Sequence, residues 1–164
     1  MQEISAVQWN ENIFSMLDKD WMLITAGSEQ RYNTMTASWG GFGVLWGKKV
    51  AHIYIRPQRY TYEFVEKSDF FSLSVFPAQW HKALAFCGAN SGRDVDKAQE
   101  TGLAPVFGKE TVWFEQARLV LVCRKLYAQD LEPSCMLEPT ILDHYPQQDY
   151  HRMYIGEITR ILVP

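Results

Sequence analysis

Two guanidiniums and two hydroxyls fall together in the segment Arg56-Pro57-Gln58-Arg59-Tyr60-Thr61. Pro57 ends an alternating apolar run, and Gln58 to Lys67 has helical spacing with Tyr60 and Phe64 one turn apart. These groups therefore converge where a strand gives way to a helix. A helix N-terminus presents unpaired N–H groups and the positive end of its dipole. Arginine adds a planar fork that matches phosphate oxygens. The chemistry this suggests is the holding of an anion, a phosphate above all. The plainer alternative is a solvated helix start in which Arg59 pairs with Glu63 four residues on.

A second polar cluster, Ser91-Gly92-Arg93-Asp94 with Lys97, has turn-forming residues that can aim N–H groups into a concave anion nest. Its alternative is an ordinary surface loop before a helix. A third stretch, Tyr32 to Trp39, places Thr34, Thr36 and Ser38 on one face if extended, and Asn33, Met35, Ala37 and Trp39 on the other. The glycines of Gly40-Gly-Phe-Gly43 follow it and read as a flexible loop able to approach a ligand closely.

The elements that must position these groups are mostly short strands. Trp21 to Gly27 is an apolar run ending in glycine, and Val50 to Arg56 alternates, with Ala51, Ile53 and Ile55 on one side. Phe70 to Phe76 places Phe71, Leu73 and Val75 inward. Leu119 to Ala128 and Met153 to Leu162 are longer strands. Short helices are expected at Gln58–Lys67, Ala78–Cys87 and Val95–Thr101, and a further turn around Pro133 to Leu137. Strand and helix do not alternate long enough for a doubly wound sheet, and no GxGxxG follows a strand. The expected architecture is a single mostly β domain, 1–164, a β-barrel with a few short helices.

Composition narrows the class. With 47% hydrophobic and 21% charged residues the chain is expected to be globular and soluble rather than disordered. A net charge of −3 lacks the basic balance of a nucleic-acid protein. Aromatics at 14% supply either a packed β core or walls for a planar ligand. Cys87, Cys123 and Cys135 form no CxxC and are odd in number, which suggests neither a disulfide framework nor zinc. No basic and apolar leader opens the chain and no apolar run is long enough to span a bilayer, so a cytoplasmic protein without membrane contact is expected.

Four segments taken in order resemble the flavin reductase-like family of FMN-binding split barrels: Asn33–Gly40, Arg56–Tyr62, Gly88–Lys97 and His151–Glu157. The resemblance runs from about Trp21 to Ile161. It implies a Greek-key split barrel that holds FMN at the interface of a homodimer. Asn33, Thr34, Met35, Thr36, Ala37, Ser38 and Trp39 would line the flavin. Arg56, Arg59, Tyr60 and Thr61 would lie near its phosphate and ribityl chain, and Ser91, Gly92, Arg93 and Lys97 would complete the phosphate pocket. His151 would be the catalytic residue, near the flavin or the nicotinamide, although a polar residue capping the last strand is the alternative. The stretch Asp143 to Tyr150 departs from the Gly-Asp-His ending of typical two-component reductases.

Three functions compete at this level. One is an NAD(P)H-dependent flavin oxidoreductase, with NADH or NADPH as transient donor and an oxygenase or redox protein as possible partner. The second is an FMN-containing electron carrier. The third is a module that binds flavin or another planar ligand without turnover. A hydrolase is weaker, since no GxSxG elbow is present. His52 and His81 read as structural, and no spacing suggests a metal.

Overall fold

A computed structural model describes residues 1–164. In chain order the elements are β1 (Gln2–Ile4), α1 (Ile13–Ser15), β2 (Met22–Gly27), β3 (Tyr32–Ala37), β4 (Gly40–Leu45), β5 (Lys48–Ile55), α2 (Tyr60–Lys67), β6 (Phe70–Val75), α3 (His81–Ala89), α4 (Lys97–Thr101), β7 (Pro105–Phe107), β8 (Val112–Phe114), β9 (Leu119–Asp130) and β10 (Arg152–Val163). Short 3₁₀ turns at Pro133–Cys135 and Pro139–His144 lie between β9 and β10. No helix is long and apolar enough to cross a membrane.

The main sheet runs β3-β2-β6-β9-β10-β5-β4, with β1 added to β10 and every pairing antiparallel. Neighbours in space are thus often distant in sequence, a Greek-key order. The long strands β9 and β10 shift register at Ile155/Gly156 and again at Ile158/Arg160. Such bulges bend a strand and increase its twist, which lets the sheet curl into a barrel. Gly156 permits the first bend: a Cβ there would stand 2.6 Å from Phe71 Cζ. The mostly β split barrel implied by the resemblance is the fold observed.

Alternation distributes the core over both faces. Met22, Ile24 and Ala26 of β2, Phe71, Leu73 and Val75 of β6 and Leu119, Leu121 and Cys123 of β9 fill the barrel, together with Ala51, Ile53 and Ile55 of β5. Leu23, Val120 and Val122 point the other way and pack with Leu84 and Cys87 of α3 and Phe114 of β8. Burial on both sides explains why β2 reads as a continuous apolar run rather than a half-polar one. Each of the Val, Leu, Ile, Met and Phe side chains among them contributes about 1.5–3 kcal/mol over its exposed state.

One expectation fails in a useful way. Gly40 to Gly43 does not form a loop but opens β4, the sheet's edge strand, paired in register with β5 from Gly40↔Ile53 to Leu45↔Lys48. At Gly40 a Cβ would meet His52 O at 2.9 Å and Met22 Cε at 3.3 Å, so glycine there serves close packing. The turn comes later, at Trp46 and Gly47, whose φ values of 53° and 69° match the tight hairpin turn that follows strand twist.

Candidate functional site

β3 is the strand around which the site is assembled. Paired on one side only, to β2, it forms the other edge of the sheet. Met35 and Ala37 point into the barrel core, so they offer a ligand only their backbone. Thr34 and Thr36 point outward, toward the helices. Thr36 Oγ1 donates to Leu84 O of α3 at 2.5 Å, and Thr34 Oγ1 bonds Thr25 Oγ1 at 2.8 Å. Asn33 Nδ2 donates to Thr61 Oγ1 at 2.8 Å, tying β3 to the first turn of α2. Thr61 is fully buried by this contact and faces no solvent.

At the N-terminal end of β3 lies a cleft of about 410 Å³, lined by Tyr32, Asn33, Thr34, Gly92, Arg93, Asp94 and Lys97 among others. Lys97 is buried, 6% exposed, and its ammonium donates to Thr34 O at 2.8 Å and Cys87 O at 2.7 Å. Arg59 is half-buried and donates to Gly88 O at 2.9 Å. Neither cation has a carboxylate partner. Burial lowers the Lys97 pKa to about 8, with the Arg59 charge adding to the effect, and burial lowers Arg59 as well. A protein rarely removes two positive charges from water without a counter-charge, because desolvation then goes uncompensated. The missing partner has the chemistry of an anion.

The remaining donors are arranged around that corner. Arg59 is the N-cap of α2, with no side chain capping the helix's first amides. Ser91 to Val95 is a turn in which Asp94 and Val95 amides bond back to Ser91 O and the Arg93 amide donates to Ser91 Oγ at 3.2 Å. Gly92 is pressed against Asn33: a Cβ there would stand 1.9 Å from Asn33 Oδ1. Tyr60 presents its ring to the Arg93 guanidinium at 4.5 Å and takes a hydrogen bond from Arg31. Arg93 pairs with Glu63 at 2.5 Å, so the ion pair that Arg59 was an alternative candidate for is made by another residue. A cradle of glycine, free helix amides and buried unpaired cations fits the phosphate end of a flavin mononucleotide.

Arg56 does not join this corner. Its guanidinium donates to Asp149 Oδ2 at 2.5 Å and to His144 O at 2.8 Å, and it lies 5.0 Å over the Tyr145 ring. Gln58 donates to the same Asp149 oxygen at 2.5 Å, and these two bonds hold the Asp149 carboxyl below its ordinary pKa. The grouping of Arg56 with Arg59 fails because Asp149, remote in sequence, neutralises one of the two.

At the far end of β3, Ser38 and Trp39 line a larger cavity of about 910 Å³ with Phe14, Leu17, Tyr54, Leu131 and Tyr145. Trp39 is 46% exposed and its ring lies 5.2 Å from His151 and edge-on to His144 at 5.5 Å. His151 is buried, and its Nδ1 shares a 2.8 Å hydrogen bond with the Tyr145 hydroxyl. Burial, and next the Arg56 charge, push the imidazole down to about 4, so it is neutral at pH 7. Tyr145, Tyr54 and the Phe14 turn were not singled out by sequence. Tyr145 sits in an irregular stretch whose only cue was aromatic residues flanking His151. Trp46 stands elsewhere, 6.2 Å from Tyr127 at the β4–β5 turn.

Residues 16–164 match the model of the flavin reductase like domain. None of the curated proteins matches the chain by sequence. Among solved structures, an FMN-binding protein from Thermus thermophilus superposes with a TM-score of 0.71 at 19% identity, covering 100% of this chain and 82% of its own. Flavoredoxin from Methanosarcina acetivorans gives 0.68 at 21% identity, with 88% of this chain and 68% of the other covered. An NADH:FAD oxidoreductase from Streptomyces globisporus gives 0.65 at 16%, covering 88% and 74%. At these identities the likeness is one of fold, while the match of the domain model over almost the whole length is one of ancestry. The chain belongs to the flavin reductase-like domain family.

Proposed function

We propose that this chain binds FMN along β3, with the phosphate in the Lys97–Arg59 corner and the ring toward Trp39, and works as an NAD(P)H-dependent flavin oxidoreductase. The observation that carries the reading is that β3 and the two residues directly after it line both clefts, Asn33 and Thr34 the cationic one and Ser38 and Trp39 the aromatic one. The span from Asn33 to Trp39 is roughly 20 Å at the rise of an extended strand, a length suited to a phosphate, a ribityl chain and a tricyclic ring. Bound there, FMN would supply two-electron chemistry between a reduced nicotinamide and an acceptor.

The chain's own residues do the rest. Lys97, Arg59 and the Ser91–Arg93 turn hold the phosphate; Asn33 and Thr61 fix the strand against α2; Trp39 covers the ring end; His151 and Tyr145 close the cavity behind it. Arg56 and Asp149 tether the segment that carries Tyr145. The resemblance to reductases supports a homodimer, and so do the large apolar side chains near the aromatic cavity, of which Phe14 is 85% exposed. A second reading, an FMN electron carrier, draws support from the same open mouth and from the likeness to flavoredoxin.

The test begins with the absorbance of the purified protein reconstituted with FMN, followed by anaerobic NADH and NADPH. Rapid bleaching of the flavin band by either supports the oxidoreductase. Bound flavin that bleaches only with a protein reductant favours the carrier. No FMN binding at all ends both. Light scattering in the same buffer should give twice the mass of one chain.

A further inference from the structure

The ammonium of Lys97 carries three N–H groups, and the protein accepts from two of them. Thr34 O takes one at 2.8 Å and Cys87 O another at 2.7 Å. The third has no acceptor in the chain, and Lys97 forms part of the wall of the cleft of about 410 Å³. When the nitrogen gives up a proton, the two carbonyls still hold the two N–H groups that remain. The unengaged position then becomes the lone pair. The packing thus orients a primary amine as a nucleophile on a residue that lines a cleft.

No carboxylate holds this nitrogen in its charged form. Asp94 and Asp96 line the same cleft, but neither pairs with Lys97, and Asp96 is engaged with the Ala98 and Gln99 amides. Arg93 is paired with Glu63. Burial, opposed by Cys87 and assisted by Arg59, lowers the Lys97 pKa from 10.5 to about 8, so free amine is present near neutral pH. Cys87 is itself fully buried with its thiol pushed up to about 11, so no thiolate competes.

The neighbours of this amine suit one class of reagent. Half-buried Arg59 has only Gly88 O as a partner, and it lacks an anion. An acyl phosphate supplies that anion and carries its acyl carbon on one of the phosphate oxygens. A phosphate shared by Arg59 and Lys97 therefore brings the acyl carbon to about the 3–3.5 Å at which a nucleophile attacks.

We propose that Lys97 accepts the acyl group of small acyl phosphates held in the cationic corner, and that the acylated lysine closes the corner to FMN. The Nζ lone pair attacks the acyl carbon, and an N–C bond forms. The C–O bond to the phosphate breaks, its oxygen keeps the electron pair, and the surplus proton on nitrogen leaves with the phosphate as hydrogen phosphate. The product amide is uncharged and has one N–H for two carbonyls. Acylation requires only the cleft, whereas its effect on FMN rests on the flavin reading above.

Flavin-free protein treated with acetyl phosphate at pH 8 would be followed lysine by lysine with peptide mass spectrometry. Lys97 should react at least about tenfold faster than the exposed Lys82 and Lys109, the lower end of what charge focusing in a cleft supplies. Inorganic phosphate should slow Lys97 alone. The N-hydroxysuccinimide ester of acetic acid, which carries no phosphate, should favour the exposed lysines instead. Lys97 reacting no faster than Lys82 with acetyl phosphate overturns the proposal, as does a preference that phosphate leaves unchanged or that the uncharged ester shares. All three are read on the unaltered protein. Protein acetylated at Lys97 should bind FMN about tenfold or more weakly and riboflavin within about threefold of normal. Unchanged FMN affinity after acetylation overturns the closing of the corner. If the unmodified protein binds no FMN while Lys97 still reacts first and phosphate protects it, the flavin reading falls and the modification site stands. If FMN binds and Lys97 is not preferred, this inference falls alone.

Discussion

At one end of β3, Lys97 and Arg59 are withdrawn from water with only carbonyl oxygens as partners. At the other end Arg56 is matched by Asp149 and Gln58, and His151 is held neutral. The same strand therefore leads from a corner whose cations lack a counter-charge toward a region where Arg56 is paired and His151 is uncharged. Imbalance costs stability until an anion arrives, which is a sensible expense only where the ligand carries the counter-charge. A balanced wall is what an uncharged ring requires, because a free cation beside it would draw in anions and water instead.

The comparison breaks most sharply at Gly92. Alanine there must displace Asn33, whose Oδ1 would lie 1.9 Å from the new carbon. Asn33 in turn anchors α2 through Thr61. Gly92→Ala is expected to cost about 1–3 kcal/mol in stability, in the range for overpacked sites, and to weaken FMN binding by at least roughly tenfold, since a shift of the cradle loses more than one charge-assisted contact. Thermal unfolding and a fluorescence titration with FMN check the two effects separately. Normal FMN affinity in a folded Gly92→Ala protein would remove the turn from the site.

Next in size are the cations. Lys97→Gln and Arg59→Ala should each weaken FMN by about 1–3 kcal/mol, the range for charge-assisted bonds. Binding of riboflavin, which has no phosphate, should change far less. Equal losses for the two flavins would mean that these residues support the fold and not the phosphate. The contrasting variant is Arg56→Met, which breaks the Asp149 pair: it should leave the ratio of FMN to riboflavin affinity within about threefold of normal, since that guanidinium is already spent.

A pH series sharpens the same point with no substitution. The Lys97 pKa of about 8, set first by burial, with Cys87 opposing and Arg59 adding to the lowering, means that the free protein loses this proton as pH rises past 8. A bound phosphate favours the ammonium, so binding takes up a proton and the FMN dissociation constant should climb from pH 7.5 to 9.5. Riboflavin should show no such climb, and Lys97→Gln should flatten it.

Much of this arrangement is legible in the sequence. The period-two pattern at Val50–Arg56 and Phe70–Phe76 identifies the face that fills the barrel, Ala51, Ile53 and Ile55 with Phe71, Leu73 and Val75, because alternation reports which side chains share a face, and α2 follows from Pro57 and the Tyr60–Phe64 spacing. Gly92 and Lys97 stand in one cluster of the sequence and Asn33 in another, and the fold joins them in one cleft. What could not be read were partnerships across long stretches of chain. Asp149 takes Arg56 out of the cationic set from 93 residues away, and nothing local to either residue signals it. Glycines Gly40, Gly41 and Gly43 read as a loop because composition cannot distinguish a mobile backbone from one packed closely on a neighbour. β1, β7 and β8, three residues each, are too short to show a period at all.

The smallest expected effect concerns the balanced end. The His151 pKa is about 4 in the folded chain, against an ordinary value near 6.5 for an exposed imidazole. Between those two values the unfolded chain binds more protons at this residue than the folded one does. Stability from this group is therefore fully present above about pH 6.5, declines as pH falls, and is lost through pH 4. Replacing His151 with glutamine, which retains a hydrogen-bonding partner for Tyr145 but does not titrate, should lower stability modestly at pH 7 and yet reduce the slope of melting temperature against pH between 6.5 and 4. An unchanged acid slope would place the sensitivity elsewhere and show that His151 gains a proton as easily in the folded protein as in water, which would undo the neutrality on which the contrast between the two ends depends.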